Sequence, residues 1–337
     1  MAEGAPPPAE IVASILIAAH NAAAFLDGAV GSALAQTCRA VEVVAVDDGS
    51  SDGTHEALAA WARRDNRVSV LRHARCQGAA AARNTAIARA RGRWLAVLDA
   101  DDAFLPERIE RLVPLAESAG ADLLADNLLE RDFETGSRLG TALPPAEMAA
   151  ATSGGPIGLA DMLRRDRVDL PGRAKIGYLK PIVRRAFLER SGVRYRPDIR
   201  VGEDLLFTFE CVAAGGRFEL APEEALYLYS VRDGSASSGN RAGALHLSAA
   251  TRWMRDVARG RGDAELNALL RQRQRATDSD CFDLAIEARR LGDALRYARS
   301  ADPARVARRL GAMGNAIRRR LSGRFGGASP AARDGGP

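Results

Sequence analysis

Three acidic clusters in the 337-residue sequence are able to do chemistry together. The first is Asp47-Asp48-Gly49-Ser50-Ser51-Asp52-Gly53-Thr54, directly after an apolar run. Carboxylates at the end of a buried strand accept hydrogen bonds from a base NH or a ribose hydroxyl. The glycines permit a tight turn into a following helix, which Asp52 is placed to cap. A capped turn without any ligand satisfies the same spacing. The second cluster is Asp99-Ala100-Asp101-Asp102. Three carboxylates in four residues repel one another strongly if dry and uncompensated. A divalent cation removes that repulsion, and a set of oxygen ligands favours Mg2+ or Mn2+. Such an ion completes its shell with water and phosphate oxygens, and bridging a diphosphate it neutralises charge developing on a leaving group. A solvated acidic turn ahead of the next helix is the alternative. The third cluster is Gly202-Glu203-Asp204, which opens a helical pattern with Leu205, Leu206, Phe209 and Val212. Acids in a first helical turn suit the macrodipole with no further role. As a functional group, one of them takes the proton of an attacking hydroxyl. Spacing does not choose between Asp204 and Glu203. Arg83, beside Asn84, and Arg232, in Tyr229-Ser230-Val231-Arg232-Asp233, are placed to make bidentate phosphate contacts, though in so arginine-rich a chain either also suits the surface.

These residues need a scaffold, and the hydrophobic pattern supplies one. Residues 11–17 form a continuous β-branched run of the kind found in strands buried on both faces, and 41–46 read as a second buried strand. Helical periodicity follows each, over 22–36 and 54–64. A strand over 67–71, a helix over 79–91 and a strand over 94–98 complete four alternations in about 90 residues. That rhythm predicts βαβ units and a parallel sheet covered by helices, with ligands beyond the carboxyl ends of the strands. The first two acidic clusters fall at such ends. Pro106 suits the first position of a further helix with Ile109, Leu112, Val113 and Ala116 on one face. Residues 121–129 read as a strand, 133–157 as a long loop, and 158–230 as mixed short elements. From 243 to 299 the pattern is helical throughout. A last helix over 303–321 puts Val306, Leu310, Met313, Ile317 and Leu321 in a stripe flanked by arginines.

Composition narrows the partners. The net charge of +5 suits phosphate-bearing substrates or an anionic membrane surface, but no arginine run is interleaved with aromatics, so no nucleic acid is expected. Cys38, Cys76, Cys211 and Cys281 are scattered, as expected for thiols in a reducing compartment, and the four histidines lack zinc-ligand spacing. No run reaches the roughly 20 apolar residues of a membrane span, and the proline-rich, acidic first ten residues are unlike a signal peptide. The expected location is cytoplasmic, with peripheral contact at the inner membrane surface through the basic 303–321 helix as an open alternative to its packing on the protein. The expected divisions are a disordered N-terminus over 1–10, a catalytic domain over 11–235, a helical region over 240–322 and a disordered tail over 323–337.

Five pieces, in this order, resemble the family 2 glycosyltransferases. They are Ser14 to Asn21 (Ser-Ile-Leu-Ile-Ala-Ala-His-Asn), Val46 to Thr54, Gly78 to Asn84 (Gly-Ala-Ala-Ala-Ala-Arg-Asn), Leu98 to Asp102, and Gly202-Glu203-Asp204. The resemblance spans about residues 11–235. It implies an α/β GT-A (nucleotide-diphospho-sugar transferase) fold, a Rossmann-like, mostly parallel sheet flanked by helices, with an α-helical C-terminal extension. It implies that Asp48 and Arg83 face the nucleobase with Asp47 close by, that Asp99 meets the ribose, and that Ala18, Asn21, Ala100 and Arg232 line the nucleotide-sugar site. Asp101 would bind Mn2+ or Mg2+ together with Asp99 and with Asp102 in support. Asp204 would be the catalytic base of a single inverting displacement, with Glu203 beside it. Segment 176–204 is similar to bacterial exopolysaccharide glucosyltransferases of the succinoglycan type, which implies a hexose such as glucose from a UDP-sugar and a glycan or lipid-linked acceptor. The Gln-x-x-Arg-Trp motif of processive synthases is absent, which favours one addition per acceptor. Ala18 and Ala19 stand where many relatives have a hydroxyl or a proline. A nucleotidyltransferase, which needs a glycine-rich basic loop where this chain has His20-Asn21-Ala22, and a non-catalytic nucleotide-sugar-binding scaffold are the competing readings.

Overall fold

The computed structural model describes residues 10–166, 176–221, 224–232 and 243–325. Its first third alternates as the apolar pattern requires: β1 (Ala13–Ala19), α1 (Leu26–Leu34), β2 (Val41–Asp47), α2 (Thr54–Arg64), β3 (Val68–Arg72), α3 (Ala79–Arg89) and β4 (Trp94–Asp99). Every residue of β2 is buried, because helices cover both faces of the sheet there. Next come β5 (Ala103–Phe104), α4 (Arg108–Ser118), β6 (Leu123–Ala125), β7 (Leu128–Asp132), β8 (Arg138–Thr141), α5 (Pro145–Thr152) and α6 (Leu159–Arg165). A 3-10 turn (Ile176–Tyr178) leads to β9 (Ile182–Arg184), α7 (Arg185–Ser191), α8 (Glu203–Ala213), β10 (Phe218–Leu220) and β11 (Tyr227–Val231). Four helices follow, α9 (Gly243–Ala258), α10 (Ala264–Glu287), α11 (Leu291–Ala298) and α12 (Pro303–Phe325).

The main sheet has the order β10-β6-β9-β4-β1-β2-β3 and is parallel except for β9. The chain steps outward from β1 to β2 and β3, then returns to place β4 on the other side of β1. The crevice beyond the carboxyl ends of β1 and β4 is therefore the switch point where such sheets take ligands. A smaller sheet, β5-β11-β7-β8, stands over that crevice.

Several expectations shift. The helix expected over 22–36 starts only at Leu26. The backbone N–H groups of Asn21, Ala22 and Ala23 are committed to Ser50 Oγ, Thr54 Oγ1 and Asp52 Oδ2, which holds the chain in a turn. Pro106 stands ahead of the helix, whose N-cap is Glu107, and Pro114 lies inside it. The strand expected over 121–129 is two strands in two sheets. They part at buried Asp126 and Asn127, whose side chains serve Arg108 and the Leu143 backbone instead of a ladder. The loop expected over 133–157 contains β8, paired antiparallel with β7, and α5.

The C-terminal helices are continuous with the catalytic core. Ala250, Met254, Leu266 and Leu270 belong to the same buried cluster as the sheet, while Phe282, Ala285, Ala294 and Tyr297 form a second cluster that ties α10 to α11. In α12, Val306 packs on that second cluster, and Arg305 and Arg309 pair with Asp280, Asp283 and Glu287 of α10. Leu310 is 50% exposed. The helix reaches Phe325, past the expected boundary at 322. The side chains of Ile317 and Leu321, the remainder of the tail and residues 1–9 lie outside the described residues. No described helix is long and apolar enough to cross a membrane.

Candidate active site

The sheet register places the acids. Ala18 pairs with Asp99 and Ala19 with Asp47, so the two acidic clusters flank the end of β1. Helix α8 brings the third. Its N-cap Gly202 has φ +82, and a Cβ there would meet Leu247 at 2.9 Å, so glycine is required to turn the chain into the helix beneath α9. Asn84 fixes the approach to α8 by exchanging two hydrogen bonds with the Tyr195 backbone, at 2.8 and 2.9 Å.

A cavity of about 690 Å³ opens at this point. Of the residues expected at the site, Ala18, Asn21, Arg83, Asp99, Ala100, Asp101, Glu203, Asp204 and Arg232 line it, whereas Asp47, Asp48 and Asp102 do not. The farther wall comes from the C-terminal helices, including Asp280, Asp283 and Glu287 of α10.

Arg83 is the hub. Its Nη2 reaches Asp99 Oδ1 at 2.7 Å, while Nη1 reaches Asp204 Oδ1 at 2.8 Å and Glu203 Oε1 at 3.1 Å. Lys180 closes the circle, with Nζ 2.9 Å from Asp99 Oδ2 and in contact with Asp204 Oδ2. Burial works against the charged forms here, but the Lys180 and Arg83 cations outweigh it and hold Asp99 well below the usual carboxylate range. Burial likewise opposes the charge of Lys180, and Asp204 and Asp99 reverse this and raise its proton affinity. Glu203 moves the other way: burial, then the charge of Asp204, pushes its carboxyl up, with Arg83 acting against them.

The three acids after β4 have separate environments. Asp101 pairs through one oxygen with Arg232, at 3.0 Å from Nε and 2.9 Å from Nη2. Its other oxygen has no partner among the described residues. Asp102 is buried under β11, where it accepts from Tyr227 OH and from the Ser230 N–H, each at 2.8 Å. Burial, then the charge of Asp99, pushes its carboxyl up to about 8, against the Ser230 hydrogen bond. The first cluster is also turned inward. Asp48 accepts from the Gln77 and Gly78 N–H groups, at 2.9 and 2.7 Å, and is bonded to His73 at 2.6 Å and Cys76 at 3.3 Å. Asp47 meets Arg72 Nε at 3.0 Å and accepts from the Ser50 N–H. Gly49, the next residue along the chain, at φ +67, passes so close to Arg75 that a Cβ would sit 2.5 Å from its backbone.

A divalent cation fits this donor set. Asp101 offers the cavity a hard oxygen that has no partner among the described residues, with the Asp99 carboxylate nearby in sequence and on the same cavity wall. At the sheet end of the cavity the carboxylates of Asp99, Asp101, Glu203 and Asp204 share the cations of Arg83, Lys180 and Arg232, and the farther wall adds Asp280, Asp283 and Glu287. Adding a diphosphate to that balance calls for positive charge.

Lys180 is the residue that sequence reasoning missed. Its backbone carbonyl accepts from Arg108 Nη2 at 2.7 Å, and Arg108 in turn pairs with Asp126 in a fully buried bridge. A signal existed in the composition: among 48 basic residues only Lys175 and Lys180 are lysines.

The model of Glycosyl transferase family 2 matches residues 14–149. The succinoglycan biosynthesis protein ExoO of Rhizobium meliloti (strain 1021) is 37% identical over 225 residues, which cover 66% of this chain and 62% of that protein, so the chain spans less than two thirds of its relative. Two solved structures show the GT-A fold. S. aureus TarS 1–349 in complex with UDP-GlcNAc has a TM-score of 0.62 at 15% identity, over 87% of this chain and 82% of that one. The mannosyltransferase PcManGT from Pyrobaculum calidifontis, in complex with GDP-Man and Mn2+, has a TM-score of 0.55 at 20% identity, over 93% of this chain and 82% of that one.

Proposed function

We propose, from a chain whose residues 14–149 belong to glycosyl transferase family 2, that it is a metal-dependent, inverting hexosyltransferase. The donor is a UDP-sugar such as UDP-glucose, and the acceptor is a hydroxyl of a glycan or lipid-linked sugar in exopolysaccharide or other cell-surface glycan biosynthesis. The observation that carries this reading is that Asp101 and Asp204, far apart in the sequence, line one cavity at the switch point of the sheet.

In this reading Asp204 accepts the proton of the acceptor hydroxyl as it attacks the anomeric carbon, and Glu203 shares its Arg83 partner. Asp99 meets the ribose, with Ala18, Asn21 and Ala100 shaping the same wall. Arg232 stands opposite, stacked 4.8 Å from the Phe25 ring, and covers the phosphates. Asp47 and Asp48 serve the nucleobase end by fixing the 49–54 and 73–78 loops, because their carboxylates are already engaged. Bound Mn2+ or Mg2+ supplies Lewis-acid stabilisation of the diphosphate leaving group; Asp101 would hold it, with Asp99 adjacent and Asp102 behind. A nucleotidyltransferase is disfavoured, since the N–H groups after β1 that would cradle a triphosphate are spent on Ser50, Asp52 and Thr54.

We further propose a cytoplasmic protein that touches the inner membrane surface. Leu291 and Leu295 on α11 are 64% and 70% exposed, with Arg290 and Arg296 beside them, and α11 follows within four residues of the cavity-lining Glu287. Co-sedimentation with anionic liposomes of the full chain and of a truncation after Asp302 isolates the share of α12. Absence of both from the pellet ends the membrane proposal. The transferase reading is tested by screening UDP- and GDP-sugars for Mn2+-dependent nucleotide release with lipid-linked and soluble glycan acceptors. Failure of every donor to release nucleotide would sink it.

A further inference from the structure

Lys180 combines features that a purely structural ammonium does not need. It is buried, yet it lines the cavity between Asp99 at the end of β4 and Asp204 at the start of α8. Its backbone is fixed by Arg108 and followed by Pro181, so only the four-carbon side chain is free to move. Both of its carboxylates are held a second time by Arg83, at 2.7 and 2.8 Å. Lys180 can therefore withdraw without stranding either acid, whereas loss of Arg83 would leave Glu203 without its cation as well. An ammonium is a point charge that exchanges partners easily, while a guanidinium fork binds one geometry. In a chain with only two lysines, one of them stands at this position, where a movable cation suits the two shared carboxylates.

We propose that Lys180 is a shared counter-ion of this site: it neutralises Asp99 and Asp204 in the empty cavity and transfers its ammonium to the diphosphate of the donor, which uncovers Asp204 as the base. The inference rests on the nucleotide-sugar reading above. It deepens that reading by assigning a diphosphate ligand to a residue outside the acidic motifs. It also links donor binding to base activation, so that Asp204 is least available when there is no anomeric carbon to attack.

Calorimetric titration of the full chain with UDP and with uridine, in Mn2+, tests the assignment. Lys180→Met weakens UDP binding by about tenfold or more, the worth of a charge-assisted hydrogen bond, and leaves uridine binding unchanged. Lys180→Arg restores part of the UDP affinity. Asp204→Asn, which frees Lys180 from one partner, tightens UDP binding, and adding Lys180→Met to it abolishes that gain. Equal UDP affinity in Lys180→Met and the unaltered chain overturns the proposal, as does parallel loss of UDP and uridine. If Lys180→Met does not fold, unchanged or weaker UDP binding in Asp204→Asn overturns it. An unaltered chain that binds neither UDP nor GDP removes the nucleotide-sugar reading and this assignment with it, which separates the two failures.

Discussion

Replacing Asp126 by Asn tests how the site is braced from behind. Arg108 and Asp126 have no exposed side-chain surface, and Asp126 receives Arg108 Nη2 at 2.7 Å, Arg108 Nε at 3.2 Å to each oxygen, and the Leu226 N–H at 3.0 Å. The Asn side chain keeps the shape and removes the charge, leaving a guanidinium sealed between the Phe104 and Tyr227 rings, 4.3 and 5.4 Å away. Removing one partner of a buried ion pair costs about 3–5 kcal/mol. The two ring faces solvate the cation in part, by about 1–2 kcal/mol, which places the loss near the lower end. With an unfolding entropy of about 2.1 cal/mol/K per residue in a chain of this length, 3–5 kcal/mol is a drop of about 4–7 °C in melting temperature.

The damage is expected to reach the cavity. Arg108 Nη2 also holds the Lys180 carbonyl, and Leu226 leads into β11, whose Tyr227 and Ser230 position Asp102. Thermal melts and urea titrations of Asp126→Asn, Arg108→Met and the combined Arg108→Met/Asp126→Leu variant measure the terms. The combined variant should recover most of the stability, because it buries no orphaned charge, but it should bind UDP more weakly than the unaltered chain. Melting of Asp126→Asn within about a degree of the unaltered chain would refute the reasoning, as it would mean that Arg108 finds another partner at no cost.

Asp204→Asn is expected to lower transfer by about a hundredfold or more while Mn2+-dependent donor binding survives; turnover unchanged in a coupled nucleotide-release assay would remove Asp204 from the mechanism. Asp101→Ala should weaken donor binding in calorimetry, with raised Mn2+ restoring it only in part, and full restoration would assign the cation elsewhere. Burial pushes the Asp48 carboxyl up, but Gln77, His73, Gly78 and Cys76 outweigh it and hold it below its ordinary value of 3.8. Its contribution to stability is therefore present above that value and lost as pH falls through the lowered one. Asp48→Asn should melt below the unaltered chain at pH 7, with the gap closing in acid; a pH-independent gap would show that the charge is not what stabilises the loop.

What the sequence disclosed follows from how far apart the interacting residues lie. Strands β1, β2 and β4 are buried on both faces, so their side chains form mostly apolar runs that need no partner to be read; the interruptions inside β1 and β2, Ser14 and Glu42, bond to each other. The acidic clusters were equally visible, being contiguous. Their separate fates were not, because spacing makes Asp99, Asp101 and Asp102 equivalent. Only β11, more than 120 residues later, removes Asp102 from the cavity by donating Tyr227 OH and the Ser230 N–H. Lys180 was hidden for the same reason: its partners lie at 99 and 204. Strand β8 was missed because Arg138-Leu139-Gly140-Thr141 has no buried face of its own and is defined by pairing with β7.

The charge arrangement also bears on a choice that spacing leaves open, between Glu203 and Asp204. Both stand in the first turn of α8, and both are held by Arg83 Nη1. Glu203 makes no second ion pair among the described residues and feels Lys180 only at a distance, so its contact with Arg83 is unchanged when Lys180 withdraws. Asp204 has a second cation, Lys180, on a flexible stem and within the cavity proposed for the diphosphate. In the proposed mechanism, departure of Lys180 leaves Asp204 Oδ2 open to the acceptor hydroxyl. On the proposed reading, the acid whose open oxygen depends on the donor is thus Asp204. Under the proposal, that dependence gives an ion-paired carboxylate a reason to stand beside the reacting hydroxyl: the pairing would make proton transfer contingent on a bound substrate.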